Sequence, residues 1–186
     1  MMKILVSKGN KPEDSRMIIT KPLTEKDISE RKILSKYKKI FRQKDLPMTQ
    51  TCMCWGLDIG YGWHPLVDML CGCIQSYIDH NKKYDPKINQ VEAVQVKEKF
   101  GGLRFYTNGE CERIDGMIWL AEYMSNYICE SCGTTKNVTQ NNKGWILTLC
   151  DECRNKKHET LKKELQDIDF NKDLQGKDLK KRGKKK

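Results

Sequence analysis

The sequence predicts an α+β fold, and three observations carry that prediction. Three segments space their apolar residues at helical intervals. One segment, Val91–Tyr106, alternates apolar and polar residues about a Gly-Gly pair. Two Cys-x-x-Cys pairs, Cys129/Cys132 and Cys150/Cys153, stand near the C-terminus with seventeen residues between them. The expected architecture is helices packed on a small β-hairpin sheet, with a C-terminal cysteine-bound ribbon and a terminal helix appended.

The elements follow in chain order. Residues 1–23 are polar with brief apolar islands and read as a flexible arm. Thr24 with Asp27 forms a helix-start signal. The first helix is expected over Thr24–Gln43, with Ile28, Ile33, Leu34, Tyr37, Ile40 and Phe41 on one face. Leu46-Pro47 closes it, because the residue before proline avoids the helical region. Residues 51–63 are rich in Cys, Trp and Gly and read as irregular.

His64-Pro65 opens a second helix to about His80, since proline suits a first helical turn. Leu66, Val67, Leu70, Ile74, Tyr77 and Ile78 form its stripe. Next comes the hairpin, with Gly101-Gly102 as its expected turn. Leu103 and Phe105 should face the core while Arg104 and Tyr106 face outward beside Lys97 and Lys99. A third helix, Glu112–Ile128, buries Ile114, Met117, Ile118, Ala121, Met124, Ser125 and Ile128 and delivers the chain to Cys129. The α+β domain thus spans 24–128. The cysteine ribbon with its helix spans 129–170. Residues 171–186 read as a disordered basic tail.

The cysteine spacing points to a metal. Zn²⁺ takes four tetrahedral soft ligands, and a Cys-x-x-Cys knuckle aims two thiolates at one ion. The spacing falls within the two-knuckle zinc pattern, and Gly133 supplies a permissive backbone for the first knuckle. The expected ligands of one Zn²⁺ are Cys129, Cys132, Cys150 and Cys153. A closed four-thiolate site of this kind is structural. Cys52/Cys54 and Cys71/Cys73 are the remaining paired thiols. Cys-x-Cys on an extended segment faces opposite sides, and Cys71 and Cys73 lie about 200° apart on a helix. These four read as buried thiols.

Nine cysteines is an odd number, which argues against a complete disulfide framework. With no signal-peptide pattern and no apolar run long enough for a membrane span, the expectation is a soluble cytoplasmic protein with no membrane partner. The net charge of +10 is uneven. Residues 1–50 carry 13 basic and 6 acidic side chains, and residues 171–186 carry 8 and 2. The middle is slightly acidic: 6 against 7 over residues 51–110 and 8 against 10 over 111–170. Basic ends suit nucleic acid or another polyanion.

Lys97, Lys99, Arg104 and Tyr106 form the first candidate ligand surface, since basic and aromatic side chains together bind phosphates and stack bases. A solvated sheet face, or an ion pair of these positive charges with Glu98 or Glu92, explains the same pattern. Trp63 is the fifth candidate, in the glycine-rich run Gly60-Tyr61-Gly62-Trp63-His64. That run is neither a dinucleotide fingerprint nor a P-loop. Only three histidines are present, and no nucleophile elbow or His-Glu-x-x-His occurs. The sequence therefore points to a binding module over an enzyme.

Several strings within residues 52–153 resemble a family of small bacteriophage and prophage proteins without an assigned activity. They are Trp55-Gly56, Gly60-Tyr-Gly-Trp63, Gln95-Val-Lys-Glu-Lys-Phe-Gly-Gly-Leu-Arg-Phe-Tyr106, Ala121-Glu122, and the cysteine segment ending in Gly144-Trp145-Ile-Leu-Thr-Leu-Cys-Asp151. The resemblance implies phage origin, a zinc-bound fold and, as the working compartment, the host cytoplasm. Two functional expectations follow. One is a zinc-binding accessory protein engaging nucleic acid or its machinery. The other is an anti-defence factor that sequesters a small phosphorylated ligand or inhibits a host protein, with Lys97, Lys99, Arg104, Trp63 and the glycine turns lining a pocket.

Overall fold

Helix α1 (Glu25–Lys36) begins at a capping box. Thr24 Oγ1 accepts from Asp27 N–H at 3.2 Å, and the Asp27 carboxylate takes Thr24 N–H at 2.8 Å. That reciprocal pair satisfies orphan donors of the first turn. The computed structural model describes residues 22–109 and 111–182 of the chain. The expected arm therefore lies almost wholly outside the described residues.

The first helix is shorter than its spacing predicts. It ends at Tyr37, whose hydroxyl donates to Asp68 O at 2.9 Å. The chain then turns, so that Ile40 and Phe41 drop fully into the core. Ile40 O accepts from Ala93 N–H at 2.8 Å, and Arg42 pairs with the largely buried Glu92 at 2.6 Å. Ile28, expected on the buried face, is exposed.

A three-stranded sheet, ordered β1-β2-β3, forms the centre. Strand β1 (Leu57–Asp58) pairs parallel with β2 (Glu92–Lys99). Strand β3 (Gly102–Asn108) pairs antiparallel with β2. The expected turn is one residue off. Lys99 pairs with Gly102, so the two-residue loop is Phe100-Gly101. Both have positive φ, 54° and 74°, as a primed hairpin turn demands. A register shift between Ala93 and Gln95 leaves Val94 as the extra residue, which is half-buried, and turns Ala93 into the core. Leu103 and Phe105 face inward as alternation requires.

Helix α2 (His64–Asn81) buries Leu66, Val67, Leu70, Ile74 and Ile78 in the same core. Helix α3 (Glu112–Ser125) runs beside β3 and closes its free edge. Ser125 Oγ accepts from Leu103 N–H and Glu122 Oε1 accepts from Phe105 N–H, each at 2.9 Å. Those donors would otherwise invite a further strand. Met124 is exposed, against expectation, since it stands beyond the buried Ile114-Ile118-Ala121-Ser125 line.

After α3 come a two-stranded sheet, β4 (Val138–Gln140) with β5 (Thr148–Cys150), and helix α4 (Asp151–Arg182). α4 includes residues 171–182, for which composition predicts disorder. The segment holds no proline and has four Lys and two Leu, which favour helix, and residues 183–186 of the expected tail lie outside the described residues. Among the described residues, no helix is long and apolar enough to cross a membrane.

Candidate metal centre and the hairpin it holds

The four cysteines converge. One ligand atom from each of Cys129, Cys132, Cys150 and Cys153 lies within 4.8 Å of all the others. Cys132 Sγ and Cys150 Sγ stand 3.7 Å apart. Four thiolates at about 2.3 Å from one ion define a tetrahedron with edges of about 3.8 Å. The cluster has the size to hold a metal ion.

Local folding explains the convergence. Cys129–Cys132 is a loop knuckle, closed by Gly133 N–H donating to Cys129 O at 2.8 Å. Gly133 has φ 80°, the left-handed conformation that glycine takes at no steric cost. The second pair is placed differently from a ribbon's second knuckle. Cys150 ends β5, and Cys153 lies in the first turn of α4. Asp151 and Glu152 start that helix at once, because acidic residues favour the positive end of its dipole.

The thiols are electrostatically at odds without a cation. Burial raises the Cys129 thiol, but N–H groups of Cys150, Cys132 and Ser131 outweigh it and bring it down to about 7. Cys153 is pushed up to about 12, by burial first and then by the neighbouring sulfurs. The four cannot ionise together until a positive ion compensates them.

The centre is welded to the α+β body through glycines. Gly62 N–H donates to Glu130 O at 2.8 Å, and Gly60 N–H to Glu130 Oε1 at 3.1 Å. A Cβ at Gly62 would overlap Cys129 O and Gly133 N. On the other side, the hairpin tip rests on β4 and β5. Gly101 O accepts from the buried Thr148 hydroxyl and from Gln140 Nε2 at 3.1 Å. A Cβ at Gly101 would come within 2.8 Å of Ile146. Glu98 Oε1 accepts from Gly101 N–H at 2.6 Å. The two halves keep separate apolar clusters, joined by these close backbone contacts. Burial, with Glu98 nearby, raises the Glu130 carboxyl above its ordinary range.

The sequence-chosen ligand residues part company. Trp63 is fully buried, and its indole N–H donates to Ile128 O at 2.8 Å. It therefore anchors the core, and Gly60, Gly62 and Gly101 make the interface between the halves instead of lining a pocket with it. Arg104 bonds Leu103 O at 2.7 Å and lies 3.8 Å from Glu122, so its partner is neither Glu98 nor Glu92. Lys97 and Tyr106 do meet: the ammonium sits 5.8 Å from the ring centroid. Both line an open groove of about 630 Å³ between the sheet and Met48–Cys52. Lys99 stands over Phe100 at the exposed tip. Sequence reasoning missed the groove's other wall, since nothing in Met48–Cys52 signals that it folds beside β2.

Other expectations are corrected. Of Cys52, Cys54, Cys71 and Cys73 only Cys71 is buried, where burial raises its thiol far above the usual range. Cys54 Sγ donates to Thr51 O at 3.3 Å. His64 is buried with its ring against Tyr61, and neither ring nitrogen has a hydrogen-bond partner among the described residues. Burial and then the Lys26 charge lower its pKa, so the ring is neutral at pH 7.

Fold and site together define an α+β protein with a four-cysteine cluster able to chelate a metal. No family model, curated protein or solved structure matches the chain.

Proposed function

We propose that this chain is a zinc-binding accessory protein without catalysis of its own, presenting the outer face of its hairpin to nucleic acid. Zinc is the metal that four convergent thiolates favour, and a closed four-thiolate shell leaves no position for substrate. Its role here is structural. The zinc ribbon is part of the same proposal, supported by the pairing of β4 with β5 around the loop between the cysteine pairs. Phage origin belongs to the same proposal and rests on the motif strings alone.

One observation carries the reading. Lys97 and Tyr106 lie side by side in an open groove on a sheet whose tip is held by the cysteine module. An ammonium beside an aromatic ring fits a phosphate next to a stacked base. Lys99 extends the charge toward the tip, and the basic chain ends add sequence-independent attraction. Arg104 contributes less, because Glu122 and Leu103 already occupy it. The runner-up is capture of a small phosphorylated ligand, which the groove's size also admits.

The test is fluorescence anisotropy with a labelled oligothymidylate at two salt concentrations, on wild type and on a Lys97→Ala/Tyr106→Ala double variant. The expected result is salt-sensitive binding, weakened about tenfold or more by the double change. Binding that is absent, or unchanged in the variant, refutes the nucleic-acid reading. Salt-insensitive binding of a small phosphate ester in its place favours the runner-up.

A further inference from the structure

Helix α3 has two apolar faces, and only one is used. Ile114, Ile118, Ala121 and Ser125 are buried against the body. Opposite them, Gly116, Trp119, Leu120, Tyr123, Met124 and Tyr127 recur at intervals of three and four, on one stripe facing water. A helix that is apolar all round belongs in an interior. Trp119 is 66 % exposed and Tyr127 56 %.

The stripe is ordered by its own contacts. The Trp119 and Tyr123 rings stack, with centroids 5.8 Å apart and planes 15° from parallel. Tyr123 and Tyr127 follow at 5.4 Å, and their hydroxyls lie 3.0 Å apart. The two hydroxyls thus bond each other. A Cβ at Gly116 would meet nothing within 4 Å, so the backbone there is open to a neighbouring side chain.

We infer that this face is the contact between two copies of the chain, made by α3 against α3 across a two-fold axis. Three points select a second copy. Charge reaches the stripe at its N-terminal start, where the exposed Glu112 and Arg113 are of opposite sign, so it offers little net charge for a foreign partner to complement and little to repel its own image. The excess positive charge lies at the chain ends, and α3 itself carries Glu112, Asp115 and Glu122 against Arg113, so the net +10 is not concentrated on this face. The area also suits a pair. Three half-exposed aromatic rings with a leucine and a methionine offer roughly 500 Å². Doubled by symmetry, that is about 1,000 Å², the size that a biological interface should reach. Antiparallel crossing also sets the helix dipoles in a favourable sense. An interface of that size belongs among the weak, reversible ones.

Sedimentation velocity on the full, zinc-loaded chain from about 1 to about 100 µM tests this. The expected result is a monomer that becomes a dimer across that range. Trp119→Glu and, separately, Leu120→Glu should hold the chain monomeric at the highest concentration, with zinc content and helical circular dichroism unchanged. Both positions face solvent, so folding does not depend on them. A wild-type chain that stays monomeric throughout overturns the inference, and so does a dimer that survives both variants.

Discussion

The α+β body and the cysteine module are stabilised by different means. The body buries a continuous cluster of 22 residues from α1 through α3, with Trp63, Phe41 and Ile74 at its heart. Among the described residues, the module buries only Cys129, Leu149 and Cys150 as its cluster, with Val138, Leu147 and Cys153 partly covered. Three small buried side chains contribute about 2 kcal/mol each at best. A structural zinc contributes on the order of 10 kcal/mol. The body can stand on burial, while the module, with so little of it, would need an ion at its four cysteines. The difference teaches what the glycines are for: they let the two regions touch through backbone, where there is little apolar surface to join them.

Removing a ligand should produce the largest effect. Cys150→Ser is expected to abolish zinc retention and unfold residues 129–153, because binding free energy at such a site is folding free energy. Elemental analysis and circular dichroism check it: no zinc, with the helices of the body retained. Full zinc in the variant would disprove the ligand assignment.

A smaller break comes at the seam. Gly62→Ala forces a methyl into Cys129 O and Gly133 N, both backbone atoms that cannot step aside. Urea unfolding with zinc in excess should show a loss of about 3 kcal/mol, as overpacking against rigid atoms does. A loss under about 0.5 kcal/mol, the range of ordinary surface changes, would mean the seam is loose.

How legible these regions were in the sequence also differs. The cysteine cluster was readable because its spacing is local and its chemistry narrow. The helices were readable by their stripes, but their ends were not. Tyr37, Ile40 and Phe41 fit a helical face equally well whether the helix continues or turns after Lys36, and the deciding bond, Tyr37 to Asp68 O, is long-range. Strand β1 is two residues long and exists only through its pairing with β2. The Gly-Gly string drew the turn to residues 101–102. The register set by Lys99 and Gly102 moves it to Phe100-Gly101 and puts an aromatic residue at positive φ. Sequence also shows that Gly60, Gly62 and Gly101 are free of Cβ, but not which atoms approach each. For that reason Trp63 and the glycines read as a ligand site when they form a seam and a core.

The central claim is that the metal holds the hairpin tip. Hydrogen exchange on the wild-type chain, with zinc and after chelation, tests it most directly. With zinc, the amides of Gly62 and Glu130 should be protected, since Gly62 N–H donates to Glu130 O and Glu130 N–H to Thr148 O. After chelation these two should exchange far faster, while amides of α2 around Val67 and Ile74 keep their protection. Equal protection of Gly62 and Glu130 with and without the metal would contradict the account.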